Sequence, residues 1–425
     1  MAAPWLTSSK SINLSGQTAR THPLCPATGF VPAPLQGSLS FPPSKLYAAL
    51  AKTTMLSSAN MTLTSALLHS DQVLIEALVD DLGSDFLFTS DMAHLGSDMR
   101  KALMGRIGAA LCHLYLDQLG YAWLDYANQY IATALPLADF VYDGANIGSR
   151  GLALAEAKGS MTTAASAQAA KTKADKAYNR QVSNHLGQMT SAGRIEYGCA
   201  IASAILPANA WSAGQTSCFF HVTETVPSVP AGSGPGGGPL AGSNSGGAGG
   251  DDDGADDLST VSCRIALRNY RAVFRLINAP YLAGFLDALL AGIPYDAKFE
   301  QRFGRLSGPS DRAQWVVGEP HGHPMSLWYE NANRLSMGGY RFALHERSFT
   351  AIKDLITDCS RDRGLLEETV RLPNLSRPER FADERDREER LVPTPFFDAP
   401  LGDGLAAVKC DAASYSDEEN FRWPG

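Results

Sequence analysis

The chain lacks any C-x-x-C pair, and its seven cysteines are odd in number and scattered. That spacing excludes a disulfide-stapled scaffold or a zinc ribbon and suits a reducing compartment, so a cytoplasmic location is expected. No stretch approaches 18 uninterrupted apolar residues, so no membrane-spanning helix and no membrane partner are expected. The opening MAAPWLTSSKSINLSG has no basic segment followed by an apolar one, and so does not read as a secretory signal. No G-x-S-x-G elbow is present, which removes a serine hydrolase of that type. The glycines of 232–250 are not followed by G-K-[ST], which removes a phosphate-binding P-loop. No internal repeat is visible.

What is present is ample for a core: 425 residues, 44% of them hydrophobic. The formal net charge of −8 looks unfavourable for a nucleic-acid partner. Five of the acids, however, Asp251, Asp252, Asp253, Asp256 and Asp257, sit in one Gly-rich segment, and without them the chain carries only about −3. Net charge therefore excludes neither class.

Local composition divides the chain into six stretches. Residues 1–44, rich in Ser, Thr, Pro and Gly, are expected to form a disordered leader. Residues 45–97 read as helical, and 98–226 as an α/β core. Residues 227–258 read as a flexible Gly/Asp-rich linker, 259–358 as mainly helical, and 359–425 as a charged tail. Within the core, Leu103, Ile107, Leu111 and Leu114 recur at helical spacing and predict a helix over 98–118, closed by Gly120. Strands are predicted at 121–126, 137–142, 151–158, 197–206 and 217–225. Thr162 or Thr163 is expected to cap an Ala-rich helix reaching 189.

Chemistry concentrates between Pro136 and Ser160, PLADFVYDGANIGSRGLALAEAKGS. An apolar strand seldom carries an acid, or an acid and a lysine two residues apart, unless the charges have partners. Residues i and i+2 of a strand share a face, so Glu156 and Lys158 point the same way. If the two strands are neighbours, Asp139 joins them, and two carboxylates with one ammonium suit a divalent cation and an activated water. Asp143, followed by Gly144, reads instead as the turn that ends the first strand. Glu319, His321 and His323 have no helix to hold them and read as loop residues rather than a zinc site.

The order helix, three strands, helix, strand, with Ala138-Asp139-Phe140-Val141 and Leu154-Ala155-Glu156-Ala157-Lys158-Gly159-Ser160, resembles the PD-(D/E)XK nuclease superfamily. The resemblance implies an α/β fold, an αβββαβ restriction-endonuclease-like core, here with helical N- and C-terminal additions. It implies Mg²⁺, or Mn²⁺ in its place, held by Asp139, Glu156 and the carbonyl of Ala157, with Lys158 activating the attacking water. Gln181, with His185 four residues on in place of the tyrosine of some members, is the further catalytic candidate. Many members carry a Glu in the preceding helix, and the comparable place near Ala109 has no acid. The implied activity is phosphodiester hydrolysis, with nucleic acid as partner and DNA preferred over RNA because most of the family cuts DNA. Lys171, Lys173, Lys176 and Arg180 either face a phosphate backbone or form the wet side of a helix. A non-catalytic nucleic-acid- or protein-binding scaffold that reuses the fold is the alternative.

Overall fold

The computed structural model describes residues 5, 8–23, 37–55, 61–81, 83–144, 151–207, 210, 216–227, 258–277, 279–294, 300–307, 314–318, 340–376, 400–409 and 414–422. The expected linker, nearly all of it, and Glu319, His321 and His323 lie outside these residues. The described part is mixed α/β, with seven α-helices and three sheets.

The predicted helix over 98–118 is α3, Ser97–Gln118, the third after α1, Pro43–Met55, and α2, Met61–Leu78. All four stripe residues are buried, and from Ala110 to Asp117 every residue is, so the C-terminal half of α3 runs through the core rather than along it. Gly120 ends it as expected: its φ is 90°, its N–H donates to the Asp117 carbonyl, and the N–H of Tyr121 donates to Leu116.

After α3 come β3 (Trp123–Tyr126), β4 (Phe140–Asp143), β5 (Leu152–Met161), α4 (Ala167–Ala177), the two-residue β6 (Met189–Thr190), β7 (Gly193–Ile205) and β8 (Cys218–Pro227). β3, β4 and β5 form an antiparallel meander, and the chain crosses through α4 to place β7 parallel to β5. α4 is shorter than predicted. Ser166, not Thr162 or Thr163, caps it by accepting from the Ala169 N–H. A π-helical turn at Tyr178–Val182 and a 3-10 turn at Ser183–His185 replace the predicted last turns, ahead of Gly187 with φ 78°.

α3 and α4 cover opposite faces of this sheet. On β8, Phe220 meets Tyr115 of α3 at 5.7 Å between ring centroids. Thr223 and Thr225, of the other parity, bond Asp175 and Tyr178 of the α4 side.

The leader expected to be disordered is partly built into the fold. β1 (Lys10–His22) and β2 (Ser38–Phe41) extend the sheet to the order β2-β1-β8-β7-β5-β4-β3, with β6 beside β7. β1 escapes a hydrophobicity reading because only Lys10 and Ile12 are fully buried along it. Its backbone pairs with β8 over eight positions, which carries no side-chain signature. Trp5 anchors the segment, buried against Phe41 and Phe86.

The region expected to be mainly helical has α5 (Cys263–Leu276), α6 (Pro280–Ala291) and α7 (Glu346–Arg361), and it is also a β region. β9 (Leu258–Ser262) pairs with β13 (Thr369–Pro373). A five-stranded antiparallel sheet joins β10 (Glu300–Ser307), β11 (Gln314–Gly318), β12 (Tyr340–His345), β14 (Leu405–Lys409) and β15 (Ser414–Arg422). The expected charged tail thus supplies three strands. Nor is the region separate from the rest, because a single apolar cluster runs from Trp5 through α3 to Ala407.

A sealed set of charges makes that junction. Lys52 of α1, fully buried, pairs with Asp403 at 2.8 Å and donates to the Ala122 carbonyl at 2.7 Å. Asn269 of α5 donates to the same carboxylate, and Asp117 of α3 accepts from the Gly402 N–H at 2.6 Å. Burial lowers the Lys52 pKa and raises that of Asp117, against the pull of their partners. Asp143 also serves this junction. It is the last residue of β4; its carboxylate accepts from the Gly144 N–H and from the Ser262 N–H at 2.7 Å, and burial pushes its pKa up to about 7.

Candidate functional site

The antiparallel register of β4 and β5 sets Phe140 opposite Ala155, so one step further along brings Asp139 beside Glu156. Asp139 sits one residue before β4 rather than on it, and its side chain is exposed. The two acids are cross-locked through the backbone: the Asp139 N–H donates to Glu156 Oε2 at 2.9 Å, and the Ala157 N–H donates to Asp139 Oδ2 at 3.2 Å. Lys158, on the same face of β5 as Glu156, ion-pairs with Glu156 Oε1. Asp139, Glu156 and Lys158 are therefore one cluster.

Within it the three differ in exposure. Glu156 is fully buried, whereas the Lys158 side chain keeps 41% of its surface. Burial is the main force on Glu156 and the charge of Asp139 adds to it; together they outweigh Lys158 and push its pKa up to about 7. The site thus holds more negative charge than its one lysine comfortably neutralises.

Asp139 and Lys158 open onto a cleft of about 520 Å³. Its walls are Thr53 and Thr54 from α1, Gly105, Arg106 and Ala109 from α3, Tyr126, and the backbone around Phe140, Ala157 and Gly159. Two glycines bring α3 this close. A Cβ on Gly108 would lie 2.5 Å from the Gly159 nitrogen, and one on Gly159 would lie 1.8 Å from the Met104 carbonyl oxygen. Gly159, directly after Lys158, is therefore a contact residue between helix and strand. Ala109, singled out in sequence as the place without an acid, does face the cleft.

Gln181 is not in that cleft wall. Its amide donates to the Leu137 carbonyl at 3.1 Å, and His185 Nε2 lies 3.1 Å from the Pro136 carbonyl. The pair pins the segment that delivers Asp139, and the Gln181 amide meets that backbone rather than Asp139, Glu156 or Lys158. The π turn puts two residues four apart onto consecutive carbonyls. Of the α4 cations, Lys171 is engaged with Asp175, which also pairs with Arg20.

Arg106 and Asp71 were not legible. Asp71 of α2, 1% exposed, holds the Arg106 guanidinium through both Nε, at 2.6 Å, and Nη2. Their separation of 35 residues on different helices leaves no spacing signal.

Among the described residues no group of three or more His, Cys, Asp or Glu is placed to hold a metal ion, and no helix is long and apolar enough to cross a membrane. Compared with known protein families, with curated proteins and with solved structures, the chain matches none.

Proposed function

We propose that the chain is a metal-dependent nuclease, hydrolysing phosphodiester bonds in nucleic acid, with DNA the expected substrate. The observation that carries the reading is the cross-locked cluster of Asp139, Glu156 and Lys158, two of whose members, Asp139 and Lys158, line a cleft. The order α3, β3, β4, β5, α4, β7, with β7 parallel to β5, is the order that the PD-(D/E)XK resemblance implies and supports it further. Substrate choice rests on that analogy.

The donor set suits a hard divalent cation that keeps much of its water. Two neighbouring carboxylates with an excess of negative charge fit Mg²⁺ or Mn²⁺, with Asp139 on the open side, Glu156 behind it and the Ala157 carbonyl as the further oxygen. When bound, such an ion lowers the pKa of its water and neutralises charge on the scissile phosphate. Asp139 and Glu156 fix where that charge sits, Glu156 held by the Asp139 N–H and Asp139 by the Ala157 N–H. Lys158, half open to the cleft, is placed to orient the attacking water and to meet the negative charge that grows on phosphorus. Its bond to Glu156 keeps the ammonium aimed until substrate arrives. Gln181 and His185 hold Asp139 in register by fixing residues 136 and 137.

The test is cleavage of plasmid and single-stranded DNA with Mg²⁺ or Mn²⁺, comparing the wild type with Glu156→Ala and Lys158→Ala. Cleavage by the wild type, lost in both variants, is the expected result. A wild type that cuts nothing, or variants that cut equally well, removes the catalytic reading. A wild type that binds DNA without cutting it favours the scaffold alternative.

A further inference from the structure

We propose that Arg106 is the phosphate clamp of the cleft, taking a backbone phosphodiester of the nucleic acid on the side of its guanidinium that Asp71 leaves free. The identity of that ligand rests on the nuclease reading; the anion site itself does not.

Asp71 uses Nε and Nη2 of Arg106, one edge of the guanidinium fork. That leaves Nη1 and the second Nη2 proton as donors, and among the described residues Arg106 makes no other ion pair. The side chain lines the cleft that Asp139 and Lys158 open onto, and keeps 26% of its surface. A planar fork with one edge fixed and the other open is well built for a phosphate oxygen, because little side-chain freedom is lost on binding.

The alternative, an Arg present only to neutralise Asp71, does not account for the cleft. A structural pair gains nothing from space in front of its second edge. Yet Gly105, beside Arg106, has room for a side chain, since a Cβ there meets nothing within 4 Å. Glycine in a helix costs stability relative to alanine, so this position leaves open space in the cleft lining beside Arg106 at the expense of the helix. Lys158 is held by Glu156 beside the reacting phosphate, and Arg106 is the second cation lining the cleft, with a planar fork that a point-charge ammonium lacks.

Binding and cleavage separate this inference from the reading beneath it. Anisotropy of a labelled single-stranded DNA oligonucleotide, measured without metal so that nothing is cut, is compared for wild type, Arg106→Gln, Arg106→Lys and Gly105→Leu. Expected is a loss of affinity of about tenfold or more for Arg106→Gln, less for Arg106→Lys, which keeps the charge without the fork. Gly105→Leu is expected to lose as much as Arg106→Gln by filling the cleft. It leaves the Asp71 pair intact, so misfolding from an orphaned Asp71 cannot explain its result. Wild-type affinity in both Arg106→Gln and Gly105→Leu, or no binding by the wild type, overturns the clamp. Displacement of the oligonucleotide by inorganic phosphate at equal concentration overturns a nucleic-acid ligand in favour of free phosphate. Binding lost in Arg106→Gln while the wild type cuts nothing with Mg²⁺ retains the clamp and removes the nuclease.

Discussion

The chain holds two clusters of lysine and carboxylate, built from the same groups and used in opposite ways. At the junction, Lys52, Asp117 and Asp403 are all fully buried, and Asn269, Ala122 and Gly402 take up bonds around them. At the cleft, Glu156 is equally buried, but Lys158 and Asp139 are open to solvent on one side. The first set joins distant parts of the chain and has no room for a ligand. The second has a free side. Composition does not separate a structural ion pair from a candidate reaction centre; an unclosed face does.

The comparison breaks most sharply through activity. Replacing Glu156 by Gln is expected to lower metal-dependent cleavage on the order of a thousandfold, with no loss of thermal stability. The stability half follows from sign. A carboxylate whose folded pKa lies above its unfolded one binds its proton more tightly when folded, so the wild type loses stability as pH rises from about 4.5 to about 7. Glu156→Gln should flatten that slope, and unfolding curves across the window would show it. A variant as active as the wild type places this cluster with the structural one.

Lys52→Met should do the reverse. Removing one partner of a buried pair leaves Asp403 uncompensated, at a cost of about 3–5 kcal/mol. Denaturant unfolding measures it, and cleavage per folded molecule should stay near the wild-type level. A loss of activity without a loss of stability would refute the division of labour.

Gly159→Ala tests the wall between the two regions. Its Cβ would run into the Met104 carbonyl, so α3 must shift, at about 1–3 kcal/mol and with a changed cleft. Stability and oligonucleotide affinity should fall together; a fall in neither means that the helix does not lie this close.

The smallest effect is expected at Asp143, whose pKa, like that of Glu156, is pushed up to about 7 by burial. Its ionisation above the unfolded carboxylate range opposes folding, so Asp143→Asn should lose less stability than the wild type as pH rises from about 4 to about 7. Because Asp143 bonds Ser262 and not the cleft, cleavage should not follow. A matching change in cleavage would link the two clusters.

Much of the candidate site was legible because it is local. Glu156 and Lys158 lie on β5 and Asp139 just before the antiparallel β4, where period-two alternation and a short connection set who meets whom. The C-cap at Gly120 was legible for the same reason, being a property of one helix end. The contact of Gln181 with the Leu137 carbonyl was not legible, since spacing along a helix says which residues share a face and nothing of what that face meets.

Sequence by itself determined α3, the strands β3, β4, β5 and β7 and the charged pair on β5, each of which follows from a pattern within some twenty residues. Tertiary structure alone decided that β1 joins the sheet through backbone pairing with β8, some two hundred residues away, and that residues 401–405 complete the core around α1. It also decided that Arg106 faces the cleft with one edge free. Backbone hydrogen bonds and long-range ion pairs place no periodic demand on the residues that make them, so nothing in the local pattern announces them.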